Sequence, residues 1–250
     1  MEVLLKNLMK WKSFIVCQLI IFALVGSFLW PVTRHFWNIL DIAIFKSLNG
    51  TLIDHSFAQH FWAFVNHKKA DLVEDFVFLF FFIIGIRKAP DKWRRSAQFI
   101  FMILVAGSCI YFVNRTLLRA HIIFPRESPS LVVTPCVRVS EQIPWLTIKD
   151  ETAASFPGDH ATTLLLFAAL YSFFAGKRLG IFAWGYAIFR LLPRLVLGAH
   201  WFSDIAVGTT ALVLILLSWT LCTPFHSWVI DKIEAAMKLF KHETKEKPLS

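Results

Sequence analysis

A chain of 250 residues that is 56% apolar, with 26 Phe, 10 Trp and a mean hydropathy of +0.58, is too apolar for a soluble domain, where the share is about 45–50%. It reads as a single all-α membrane domain. The net charge of +9 does not point to nucleic acid, because Lys and Arg fall mainly in short segments between apolar runs, the pattern that orients a membrane protein.

Lys6, Lys10 and Lys12 precede an apolar run at residues 13–30. No small-x-small cleavage site follows it, so it reads as a retained first span with a cytoplasmic N-terminus rather than a signal peptide. Residues 36–65 alternate irregularly and break at Asn49-Gly50. They predict a pair of interfacial amphipathic helices, with Phe36, Ile39, Leu40, Ala43, Phe57, Phe61 and Phe64 on the buried side. A second span is expected at 72–86, and the acidic cluster Asp71, Glu74, Asp75 reads as its solvated start, unless Asp71 reaches a functional site. The Phe-rich run 76–82 is lipid-facing or packing surface. Arg87, Lys88, Lys92, Arg94 and Arg95 form a basic loop before a third span at 97–118, and residues 119–156 make the longest polar connection. Loops of that length in a compact fold tend to be functional or disordered.

A fourth span follows at 161–175, with Pro157 suited to the first helical position because its missing N–H is not needed there. Lys177-Arg178 makes a short turn, a fifth span covers 179–197 with a break near Pro193, a sixth covers 201–221, and a basic tail, 228–250, closes the chain on anionic lipid. Cys17, Cys109 and Cys222 lie in apolar runs and Cys136 in a loop, without metal-ligand spacing. The cytoplasmic side carries the excess of Lys and Arg, as orientation requires. Arg119, Arg126, His160, Arg194 and His200 then all fall on the opposite face.

Three arginines and two histidines at one membrane face suit a phosphate. Guanidinium matches the geometry of phosphate oxygens and stays protonated in apolar surroundings, and helix N-termini add N–H donors. His200 and Asp204, four residues apart, share a helix face. The aspartate is expected to orient the ring and leave the other nitrogen to attack phosphorus, while His160 serves as acid and base.

These residues resemble the type-2 phosphatidic acid phosphatase (PAP2) superfamily, whose signatures are K-x6-R-P, P-S-G-H and S-R-x5-H-x3-D. The counterparts here are Arg119-x6-Arg126-Glu127, Pro157-Gly158-Asp159-His160 and Pro193-Arg194-x5-His200-x3-Asp204. The resemblance implies a six-span helical bundle, a metal-independent phosphohistidine on His200 without cofactor, and a phosphate held by Arg119, Arg126 and Arg194. Residues 155–160 and 198–204, with Ser128-Pro129 and 138–141, are similar to one branch, the bacterial lipid A 1-diphosphate synthases. That branch implies transfer of the terminal phosphate of undecaprenyl diphosphate to the 1-phosphate of lipid A at the outer face of the inner membrane. The altered second signature suggests that Gly158 and Asp159 favour a phosphate acceptor over water. The competing readings are hydrolysis of a lipid phosphate or diphosphate, such as undecaprenyl diphosphate, and a lipid carrier without turnover.

Overall fold

A computed structural model describes residues 9–111 and 126–246, the last five by backbone alone. Arg119, the end of the expected third span and the start of the outer loop lie outside the described residues.

The described chain is helical, with an isolated antiparallel bridge between His67 and Ile148. In chain order α1 is Trp11–Leu29, α2 Pro31–Gly50, α3 Ser56–Val65, α4 Ala70–Arg87 and α5 Lys92–Ser108. Two single turns, α6 (Pro129–Val132) and α7 (Val139–Gln142), lie in the long connection that follows α5. Then come α8 (Asp159–Ala175), α9 (Lys177–Val196), a π-helical turn at Asp204–Thr209 that runs into α10 (Thr210–Leu221), and α11 (Phe225–Glu246). Among the described residues three helices are long and apolar enough to cross a membrane: α1, α9 and the continuous run Asp204–Leu221. α8 is apolar but has 17 residues, and α4 carries Asp71, Glu74, Asp75 and Arg87 within its 18.

α8 is the central rod, packed on α9, α5, α10 and the π-turn. Its core comes from i, i+3/i+4 spacing: Leu164, Phe167, Ala168 and Tyr171 face inward and meet Phe81, Phe82 and Phe99, with ring centroids such as Phe81–Tyr171 at 5.3 Å. The Tyr171 hydroxyl donates to the Phe81 carbonyl at 2.7 Å. The Phe-rich run therefore divides, with Phe78, Phe81 and Phe82 packing inward and Phe76 and Phe80 facing outward. Between α8 and α9 the chain reverses over one residue, Gly176, at φ +91°. Gly180 keeps the two helices close, since a Cβ there would come within 2.9 Å of the Ser172 Cα.

Several expectations change. α2 does end at Gly50 and α3 follows, but Phe36, Ile39, Leu40, Ala43, Phe57, Phe61 and Phe64 are all exposed. The buried face of α2 is instead Asp41, Phe45 and Asn49. In a hydrocarbon environment apolar side chains lose nothing by facing out, so it is the polar ones that must turn toward partners. Asn49 ties α7's connection to the end of α9, accepting from the Val137 N–H (2.7 Å) and donating to the Val137 and Val196 carbonyls (3.0 and 3.1 Å). Glu74 is likewise not solvated: it is 6% exposed and accepts from Arg190 Nε at 3.0 Å. α8 starts two residues after Pro157, with Gly158 as its N-cap. Pro193 does not break α9, because it lies in the last turn and the helix carries on through it to Val196.

Candidate active site

The third signature's spacing has a local cause. α9 brings Arg194 to its last turn, and the backbone then turns at Gly198, φ +79°, where a Cβ would come within 2.6 Å of the Phe45 ring. That turn folds the N–H groups of Ala199 and His200 back onto the Arg194 carbonyl, at 3.0 and 3.2 Å. Five residues between Arg194 and His200 are what this reversal takes.

His200 Nδ1 donates to the Ser155 carbonyl at 2.8 Å. A carbonyl can only accept, so the ring proton stands on Nδ1 and Nε2 keeps its lone pair. Asp204 is an electrostatic neighbour at 3.7 Å rather than the hydrogen-bond partner that the four-residue spacing suggests. Its oxygens are already engaged: Oδ2 accepts the Trp201 N–H at 2.8 Å, and Oδ1 pairs with Arg126 Nη1. Arg126 also donates to Ser203 Oγ at 2.8 Å and, through Nη2, to Asp41 Oδ2 at 2.6 Å. Asp41 in turn accepts from the Ser203 N–H and hydroxyl at 2.8 and 2.5 Å. The result is a closed ladder, Asp41–Arg126–Asp204, in which the carboxylates are 1% and 0% exposed. Arg126 is thus close to the third signature but committed to two carboxylates.

The second signature packs directly on the third. A Cβ on Gly158 would lie 3.6 Å from His200 Cε1, and the Gly158 N–H donates to Thr209 Oγ1 at 3.2 Å. The π-turn presents that hydroxyl, and Thr210 Oγ1 spans the widened turn to the Ile205 carbonyl at 2.9 Å. Two residues on, His160 stands in the first turn of α8, so both imidazoles are at one end of the bundle. Asp159, half-buried, is the first residue of α8.

Around His160 the structure gathers Asp71, which the sequence reading allows to reach a site, and two groups that it passes over, Lys149 and Arg190. Lys149 Nζ lies 3.2 Å from His160 Nε2 and 2.7 Å from Asp71 Oδ2, and Asp71 is 3.9 Å from the same imidazole. Arg190, one helical turn before Arg194, pairs with Glu74, donates to the Val65 carbonyl and lies 3.9 Å from Asp71. Arg194 itself is 4% exposed and has no hydrogen-bonded partner for its guanidinium among the described residues. A buried guanidinium without a partner is costly, and an anion is what relieves that cost. Asp41 and Arg190 did carry a signal, being charges within apolar helices. Ser155 carried none, since its carbonyl, not its side chain, does the work.

A protein from Escherichia coli (strain K12), lipid A 1-diphosphate synthase, is 33% identical over 238 residues, covering 94% of this chain and 96% of its own. The PAP2 superfamily model matches residues 132–228. The chain belongs to the PAP2 superfamily. Within this PAP2 protein the matched stretch holds Gly158, Asp159, His160, Arg194, His200 and Asp204, whereas Asp41, Asp71 and Arg126 lie N-terminal to it. No solved structure matches the chain. Membership makes this PAP2 protein an enzyme of lipid phosphates, related to a bacterial phosphotransferase.

Proposed function

We propose that this PAP2 enzyme is a phosphotransferase that moves the terminal phosphate of undecaprenyl diphosphate onto the 1-phosphate of lipid A. The site lies at the periplasmic face of a bacterial inner membrane, with both termini cytoplasmic. The observation that carries the chemistry is His200: its Nδ1–H is held by the Ser155 carbonyl, which leaves Nε2 as a nucleophile in one tautomer, close to the buried Arg194. The donor and acceptor follow the relative, whose printed name is lipid A 1-diphosphate synthase.

In the first half-reaction His200 Nε2 attacks the terminal phosphorus. The bond from phosphorus to the bridging oxygen breaks, and that oxygen takes the electron pair and a proton from His160, leaving as undecaprenyl phosphate. In the second, an oxygen of the acceptor phosphate attacks the phosphohistidine, His160 takes up the acceptor's proton, and the N–P pair returns to His200. Arg194, with Arg119 at the start of the outer connection, neutralises charge on the equatorial oxygens, the larger part of catalysis in phosphoryl transfer. Asp204 stabilises the His200 imidazolium across 3.7 Å, and Arg126 holds Asp204 in place. Gly158 lets α8 approach the His200 ring, and Asp159 favours a phosphate acceptor over water.

The test is a two-lipid assay on the full-length protein in proteoliposomes, with labelled donor and lipid A. The expected product is a lipid A heavier by one phosphate, formed through an acid-labile phosphoprotein. Release of free phosphate at the same rate with and without lipid A would make the protein a phosphatase instead.

A further inference from the structure

Lys149 belongs to none of the three signatures, yet its position is built. Its carbonyl accepts from Asn66 Nδ2 at 2.7 Å, the residues before it bridge to His67 and Lys68, with the Lys68 N–H on the Thr147 carbonyl at 3.1 Å, and the next residue, Asp150, is 1% exposed and caps the Ser140 N–H at 3.0 Å. The same Asn66–Lys68 staple leads into α4, which supplies Asp71. The carboxylate and the ammonium therefore arrive opposite each other from one fixed corner, 2.7 Å apart. The ammonium is half-buried and turned toward His160.

An in-line displacement fixes what lies on that side. The nucleophile and the leaving oxygen take opposite sides of the transferring phosphorus, so with His200 as nucleophile and His160 as acid, a cation beside His160 is a cation beside the leaving group. When the donor is a monophosphate, the leaving group is an uncharged alcohol. When it is a diphosphate, the leaving group is itself a phosphate whose charge grows as the bond breaks. His200, on the nucleophile's side, serves both donors alike.

We infer that Lys149, steadied by Asp71, binds the leaving phosphate and so selects lipid diphosphates over lipid monophosphates as donors. This rests on the assignment of His200 and His160 made above. Lys149 reaches the phosphate with a charge-assisted hydrogen bond while Asp71 keeps its stem oriented. A lysine suits this place because a compact ammonium on a flexible stem can hold Asp71 and still turn to a second anion.

Two non-hydrolysable probes differing only in that phosphate test it: a prenyl methylenediphosphonate and a prenyl monophosphonate of equal chain length, titrated directly against the full-length protein in detergent. In Lys149→Met the diphosphonate is expected to bind more weakly by about tenfold or more, while the monophosphonate changes by less than about threefold. Lys149→Arg restores most of the preference, and Asp71→Asn loses part of it. Parallel losses for both probes in Lys149→Met and Lys149→Arg, whether from a displaced His160 or from poor folding, overturn the inference, and so does an unchanged preference. Failure of the wild-type protein to transfer phosphate to lipid A, with the probe preference intact, would instead remove the proposed acceptor and leave Lys149's role standing.

Discussion

The two halves of the site are built on opposite plans. Behind His200 the buried carboxylates are paired off: Arg126 is shared by Asp41 and Asp204, and the ring nitrogen is held by a backbone carbonyl. Around His160, Lys149 and Asp71 pair at 2.7 Å yet each stays about a third exposed. A nucleophile gains from being held in one tautomer and one orientation. The acid's side must admit and release a charged lipid, so a sealed network there would compete with the substrate. Arg194 lies at the boundary, buried yet with no hydrogen-bonded partner for its guanidinium among the described residues.

Removing the nucleophile tests that contrast most severely. His200→Ala is expected to lower turnover by roughly 10⁴-fold or more and to abolish the labelled phosphoprotein, read by acid-quench of single turnovers. Next comes Arg194→Met, where activity and stability should separate. Turnover falls by about 10²-fold, while thermal unfolding in detergent is unchanged or shifted upward, because an unpaired buried charge has been replaced by an apolar side chain of similar length. A drop in stability there would mean that Arg194 is a structural cation after all.

Arg126→Ala should show the opposite balance. It strands two buried carboxylates, at a cost of about 3–5 kcal/mol, and the unfolding transition, rather than substrate affinity, is the readout. The smallest effect is expected at the second signature. Replacing Gly158-Asp159 by Ser-Gly adds a Cβ that would stand 3.1 Å from Ala161 Cβ and 3.6 Å from His200 Cε1. Turnover should fall only a few-fold, roughly 1 kcal/mol in barrier, but phosphate release to water should rise relative to transfer. No rise in that ratio would remove Asp159 from the choice of acceptor.

Much of this site was readable from spacing. The convergence of Arg119, Arg126, His160, Arg194 and His200 was expected from counting apolar runs and placing their ends on one face; among the described residues, Arg126, Arg194 and His200 meet around one chain reversal and His160 stands at the same end of the bundle. The apolar residues singled out on α2 and α3 face outward, as an apolar side turned to lipid does, while the inward face of α2, with Asp41 and Asn49, was marked by no apolar pattern. Glu74 was misplaced because its partner Arg190 is 116 residues away and nothing local marks the pair.

The sequence by itself determined the membrane class, which composition encodes directly, and the family, which the residues and spacing of the second and third signatures carry. Only the tertiary structure decided which charges are already neutralised and which remain for a ligand. That depends on contacts between distant segments, such as Arg126 with Asp41, the Ser155 carbonyl with His200, and Lys149 with His160. Pairing energy in a low-dielectric interior is set by distances of a few ångströms that no local pattern records.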